Sequence, residues 1–168
     1  MSKIPVRKLV YLGVLTALEI VLSRFLSISA WNLKIGLSFV PVAAAAMLFG
    51  PWSAGVVGAL GDFVGALLFP VGPYFPGFTL TAFLTGAVYG LFLRKKCDFP
   101  RVAAAVAVQQ LFLSFLLNSF WISVLYGSPF KALLASRAVQ CAILIPVQIV
   151  VLLLMGKALA RYGGRLLP

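Results

Sequence analysis

The chain contains no histidine, only three acids and only two cysteines in 168 residues. Without histidine, no imidazole-based triad or proton shuttle can be built. The acids are Glu19, Asp62 and Asp98. They lie far apart in sequence, so no local carboxylate pair points to acid–base chemistry. Cys97 stands in a basic stretch and Cys141 in an apolar run. They are expected on different levels of the protein, so neither a disulfide nor a metal cluster is expected. No Walker loop and no Gly-rich dinucleotide fingerprint occurs, which excludes ATP binding by those routes. These absences argue against an enzyme and imply no cofactor and no metal.

What the chain has instead is apolar length. Hydrophobic residues make up 62% and charged residues 10%, with a mean hydropathy of +1.10. A charge at mid-bilayer costs roughly 2.5–3.5 kcal/mol on insertion scales, so apolar runs bordered by charge read as membrane spans. The pattern predicts an all-α membrane protein with six spans. They cover roughly 9–27, 35–50, 52–69, 77–94, 102–126 and 131–160. Gly50-Pro51 marks a tight turn between the short second and third segments, because the residue before proline disfavours helix. A five-span count would merge or demote one of them. The first segment lacks a clear small-residue cleavage site and reads as a span rather than a signal peptide. Residues 1–168 are expected to form one integral-membrane domain, with no room for a soluble catalytic domain.

Most basic residues border one side of these spans. They are Lys3, Arg7 and Lys8; Arg94, Lys95, Lys96 and Arg101; Lys157, Arg161 and Arg165. The positive-inside rule puts them, and both termini, in the cytoplasm. The net charge of +11 then reports topology. Nucleic acid is not an expected partner, because the basic residues flank spans rather than form one soluble face.

A second charged set breaks that order. Glu19, Arg24, Lys34, Asp62, Lys131 and Arg137 fall within or near the opposite ends of the spans. At 1.5 Å per residue, Asp62, Arg137 and Glu19 come out ~9–12 Å below the outer face, and Asn118 ~12 Å. Arg24 lies higher, and Lys34 sits on the adjoining outer loop. Gln110, Ser114, Asn118 and Trp121 share a face of the fifth span, and Arg137 and Gln140 share one of the sixth. Ionisable groups at such depth face a cavity or each other. Asp62 with Arg137, or Glu19 with Arg24, would satisfy one another as buried pairs. Four basic residues against two acids would make the layer net cationic and suited to an anion. The outer loops add Trp31, Tyr74 and Phe75, with three prolines stiffening residues 70–77. Aromatics there suit either stacking on a flat heterocycle or interfacial anchoring.

Small residues line three helix faces. These are Gly13 and Ala17; Ala54, Gly58, Gly61 and Gly65; and Ala82, Gly86 and Gly90. Such faces let helices approach closely in lipid. All three would either pack inside the bundle or leave one, best Gly13 and Ala17, for a separate membrane protein.

Several runs also resemble a known family. Ala17 to Ile28 (ALEIVLSRFLSI), Leu33 to Pro41 (LKIGLSFVP), Phe49-Gly50-Pro51, Gly58 to Asp62 (GALGD), Pro70 to Tyr74 and Phe75 to Ala82 (FPGFTLTA) are similar to the substrate-binding membrane subunits of energy-coupling factor vitamin transporters. The folate-specific branch is the best fit. The likeness covers most of residues 9–95, and the rest mainly by length and span count. The resemblance implies six helices, cytoplasmic termini and a vitamin pocket near the outer face of a prokaryotic cell membrane. It also implies docking on a transmembrane coupling protein with two ABC-type ATPases, which hydrolyse ATP in this subunit's stead. The family docks through a small-xxx-small motif on the first helix. Here it reads Gly13-Val14-Leu15-Thr16-Ala17, with Gly at the first position where Ala is usual.

Folate as ligand gives each residue an expected role. Asp62 accepts the pterin donors, while Arg24, Lys34 and Arg137 hold the glutamate tail or other acceptors. Phe39, Trp31 and Tyr74 stack, with Glu19, Asn118, Trp121 and Gln140 nearby. Rival readings are a related subunit for another vitamin or a queuine-like base, an intramembrane enzyme, or a membrane assembly factor. The assembly factor leaves the buried charge unexplained. The enzyme lacks a nucleophile–base pair.

Overall fold

The computed structural model describes residues 6–162 apart from 31–32, 71, 96 and 128. Trp31, Lys3, Lys96 and Arg165 therefore lie outside the described residues, as does the side chain of Lys34. The described chain forms helical rods with one short hairpin. Helix α1 is Val6–Arg24, followed by β1 (Ile28–Ala30), β2 (Leu33–Ile35), α2 (Phe39–Phe49), α3 (Pro51–Leu68) and α4 (Pro76–Leu93). Helix α5 is one continuous rod, Phe99–Tyr126. Its middle, Val108–Leu117, winds as a π-helix between two α-helical ends. Helix α6 is Phe130–Tyr162, with Pro146 inside it.

Local chemistry explains the boundaries. Pro51, Pro76 and Pro100 stand in the first turns of α3, α4 and α5, where a missing N–H is harmless. Gly50 adopts φ +89° and separates α2 from α3, a conformation that favours glycine. The second expected segment is corrected. Residues 33–35 pair with 28–30 as antiparallel strands, Ile28 opposite Ile35, so helix begins only at Phe39. The resulting 11-residue α2 is ~16 Å long, about half a bilayer core. The first segment is also shifted: α1 spans 6–24 rather than 9–27. Among the described residues, four helices are long and apolar enough to cross a membrane: Pro51–Leu68, Pro76–Leu93, Phe99–Tyr126 and Leu133–Arg161.

Helix α3 packs against α1, α2 and α4, while α5 and α6 close the other side of the bundle. Strand β2 also lies against α6. The end bearing Arg7, Lys8, Arg94, Lys95, Arg101, Lys157 and Arg161 is the basic end; the hairpin marks the other. The core gathers small and β-branched residues, including Ala43, Ala45, Ala46, Ala54, Val57, Val102 and Val106, with Tyr89, Leu93 and Leu152. Both cysteines are free. Cys97 lies against Gly156, and burial, aided by Asp98, pushes its thiol pKa up.

Two of the small-residue faces are used inside the bundle. A Cβ at Gly86 would run into the Ala54 backbone, one at Gly90 into Pro51, and one at Gly58 would lie 2.6 Å from the Ala82 carbonyl oxygen. The third face is not. Gly13 and Ala17 are exposed, and nothing lies within 4 Å of a Cβ placed at Gly13.

These contacts predict unequal stability effects. Gly86→Val forces α3 and α4 apart and is expected to destabilise by about 1–3 kcal/mol, as overpacking does. Gly13→Ala meets open space and is expected to be neutral or slightly stabilising. Thermal unfolding of the detergent-solubilised variants checks this. Equal melting temperatures would show that the α3–α4 contact is not tight.

Candidate functional site

The glycine stripe of α3 does two jobs. Gly58 admits the backbone of α4, whereas Gly61 and Gly65 admit side chains. The Glu19 carboxylate fills the space that a Cβ at Gly61 would take, and Arg24 Nε lies 3.0 Å from a Cβ built at Gly65. Charged groups of α1 thus enter the bundle over bare backbone.

They enter a cavity of about 400 Å³ between the helices, within the usual size range of small-molecule sites. Residues singled out from the sequence line it: Glu19, Arg24, Phe39, Asp62, Tyr74, Phe75, Gln110, Ser114, Asn118, Arg137 and Gln140. Residues from α1, α2, α3, α4, α5 and α6 and from the 69–75 connection meet there. Arg24 Nη2 donates to the Asp62 carbonyl at 3.4 Å and lies 3.9 Å from Asp62 Oδ1. Thr79 donates to Asp62 Oδ2 at 2.8 Å, and its oxygen lies 3.2 Å from the Tyr74 hydroxyl, which donates to it. A relay of hydroxyls therefore ties the loop tyrosine to the half-buried Asp62 carboxylate.

Arg137 is held differently. Its Nη1 donates to the Ser114 carbonyl at 2.8 Å, within the π-helical stretch. Its Nε is buried without a partner among the described residues, as are Arg24 Nε, Gln109 Oε1 and Asn118 Oδ1. No carboxylate lies within ion-pair distance of Arg137 among the described residues. Buried polar atoms of this kind await a polar ligand or water.

Three expectations are modified. The lining charges among the described residues balance, two guanidiniums against two carboxylates. Lys131 is exposed on the first turn of α6 and does not line the cavity, so the expected cationic excess does not come from it. Trp121 does not line the cavity either. Its Nε1 donates to Thr81 Oγ1 at 3.2 Å, and its ring packs 5.5 Å from that of Phe75. It braces Phe75, which does line the cavity. Asp62 and Arg137 form no pair, because Arg24 and Thr79 take the carboxylate.

Sequence reasoning missed the deep wall. Gln109 and Gln148 reach it, with Thr81, Thr85 and Phe78. Helix α6 carries lining residues at 137, 140, 144 and 148, so the cavity runs ~16 Å along it. A signal existed in Gln148, a polar amide inside an otherwise apolar run. The connection over the mouth is also anchored. A Cβ at Gly72 would lie 2.8 Å from the Tyr126 hydroxyl, and Tyr74 packs edge-on to Phe63 at 5.6 Å.

Comparison with known proteins agrees with this geometry. A family model described as ECF transporter, substrate-specific component, matches residues 7–156. The chain is 41% identical over 153 residues to the folate transporter FolT of Clostridium novyi (strain NT), covering 90% of this chain and 88% of that one. It is 32% identical over 154 residues to the folate transporter FolT of Leuconostoc mesenteroides, covering 88% and 83%. The crystal structure of FolT bound with folic acid superposes with a TM-score of 0.85 at 37% identity, covering 89% of this chain and 92% of that one. The S component of a bacterial ECF transporter superposes with a TM-score of 0.69 at 25% identity, covering 92% and 96%. These relatives are transport proteins, not enzymes. The chain belongs to the substrate-specific components of ECF transporters, multi-pass membrane proteins of prokaryotes.

Proposed function

We propose that this subunit captures folate in the cavity between its helices and delivers it by docking on an ATP-driven energising module. The observation that carries the reading is the 41% identity to a folate transporter over nine-tenths of the chain. The chemistry of the cavity supports it. Its deep half is lined by neutral amides and hydroxyls of Gln109, Gln110, Gln140, Gln148, Thr81 and Thr85. A neutral pterin ring suits that wall, flanked by Phe39 and Phe78. Burying the tail carboxylates there would cost far more than burying a neutral ring. The tail therefore stays near the mouth, where Arg24 forks toward it. Asp62 orients Arg24 and keeps lone pairs for a donor on the ligand. Arg137 offers its free Nε to an acceptor midway along the cavity. Glu19, Asn118 and Gln140 complete the polar ring. Tyr74 covers the mouth, and Trp121 supports Phe75.

The whole chain, residues 1–168, is read as one membrane domain with six crossings and both termini in the cytoplasm. The basic end faces inward by the positive-inside rule. The short α2 is read as the second crossing, with the hairpin at its outer end. The exposed Gly13 and Ala17 face is the docking surface for a transmembrane coupling protein, which brings two ABC-type ATPases. No ATP is bound by this subunit.

Two outcomes are expected. Detergent-purified subunit binds folic acid without ATP by isothermal calorimetry, and does not bind riboflavin, biotin or thiamine. Arg137→Gln, which can still donate to Ser114, weakens binding by about one to two decades, the worth of a charge-assisted buried bond. Tight binding of another vitamin and none of folic acid would sink the assignment.

Ala17→Trp tests the docking face. A bulky ring on a surface that needs small residues is expected to block partner approach. Folic acid binding should persist while co-purification with the energising module and cellular uptake are lost. Loss of binding in step with uptake would show that this face serves the bundle itself.

A further inference from the structure

We propose that a groove between α3 and α4, at the basic end of the bundle, holds an acyl chain of an anionic phospholipid whose phosphate sits on Arg94. The groove shares no lining residue with the cavity, and the inference does not depend on the folate reading.

Glycines build the groove. A Cβ at Gly86 or Gly90 would meet the backbone of Ala54 or Pro51, and Gly55 lets the Phe83 ring lie across α3, 2.7 Å from where a Cβ would stand. The two helices thus touch along their backbones, and only the larger side chains stand out from the seam. Pro51 and Trp52 line the groove from α3, and Phe83, Ala87 and Leu91 line it from α4. The Trp52 and Phe83 rings meet edge-on at 5.9 Å. The small Ala87 leaves a hollow of about 220 Å³. The α4 lining residues are spaced by four, so the hollow runs ~12 Å along that helix. Trp52 is 77% and Leu91 69% exposed, so it opens to the outside of the bundle.

Shape and charge together select the occupant. A helix is about 10–12 Å across and does not enter so small a space, whereas a hydrocarbon chain does. Arg94 follows Leu91 by one turn of chain. Its Nε and Nη1 lie 3.2 Å from a Cβ built at Gly50, the residue before Pro51. Arg94 and Lys95 are exposed, and no carboxylate lies within ion-pair distance of either among the described residues. An apolar slot that ends at an uncompensated guanidinium complements a chain that ends at a phosphate, which Arg grips through two N–H groups at once. Basic pockets between helices bind anionic headgroups in this way. In a zwitterionic lipid the headgroup's own cation offsets the attraction.

Trp52 supplies the probe. The full chain is reconstituted into vesicles of one fixed mixture of phosphatidylcholine and phosphatidylglycerol, with bromine on the acyl chains of either lipid. Bromine quenches tryptophan on contact, and Trp52→Phe identifies the emission of the other two tryptophans. The relative association constant at Trp52 is expected to favour phosphatidylglycerol by about fivefold, the worth of one basic residue at an anionic surface. Arg94→Gln should bring the two lipids to parity. Ala87→Leu fills the hollow and should reduce quenching by both. Lys157→Gln, on α6 at the same basic end, should leave the preference unchanged. An equal effect of Lys157→Gln and Arg94→Gln would show a diffuse attraction and overturn the proposal, as would parity in the wild type. Slight quenching by both lipids, with Trp52 emission changing only when the energising module co-purifies, would give the groove to a protein partner and overturn it too. If Ala87→Leu does not fold, the comparison of Arg94→Gln with Lys157→Gln decides alone.

Discussion

Helix α1 brings a carboxylate and a guanidinium into an apolar bundle, and α3 must make room for both. Gly61 and Gly65 provide that room, since a Cβ at either position would meet Glu19 or Arg24. Removing side chains from α3 does not leave a void, because the charged chains of α1 fill it. The rest of the polar layer depends on this. Arg24 reaches Asp62 only because α1 lies close over Gly65, and Asp62 then anchors Thr79 and, through it, Tyr74. An alanine at Gly61 would oppose the Glu19 carboxylate directly and push α1 outward.

The two ends of the bundle are built on opposite rules. Toward the basic end, Ala, Val and Leu side chains pack together around the buried Tyr89. Toward the hairpin end, carboxylates, guanidiniums and amides surround open space. Close packing resists local opening, because separating interdigitated side chains loses many small contacts at once. A cavity of this kind communicates through its loop-covered mouth. Passage past the packed end would require the helices themselves to be rearranged.

The sequence carried the layer well and its details poorly. Depth arithmetic grouped Glu19, Arg24, Asp62, Asn118 and Arg137 because helix rise is fixed and their distances from span ends could be counted. It erred where backbone departed from α-helix. Residues 35–38 are apolar enough to join the second span, yet Ile35 pairs as a strand with Ile28 and helix begins only at Phe39. The π-helical winding of Val108–Leu117 has more residues per turn than an α-helix. A face inferred from 3.6-residue periodicity widens across it: Gln110, Ser114 and Asn118 line the wall as expected, and Gln109 joins them. Trp121 lies beyond the same stretch and faces Thr81 and Phe75 instead. Lys131 was grouped by depth alone, and depth says nothing about which way a side chain points.

Helical phase explains how α1 can serve two surfaces. Glu19 follows Ala17 by two residues, about 200° around the helix at 100° per residue, so they project on opposite sides. Glu19 and Ser23 are buried, whereas Gly13 and Ala17 are exposed. The face that needs charge sits against glycines within the same chain. The face that needs smallness looks outward with no neighbour at Gly13. Neither requirement constrains the other, since the residues that satisfy them never share a side. The same separation is why small-residue spacing alone could not assign the faces: Gly58, Gly86 and Gly13 all fit a stripe, and only their surroundings distinguish an internal seam from a free surface.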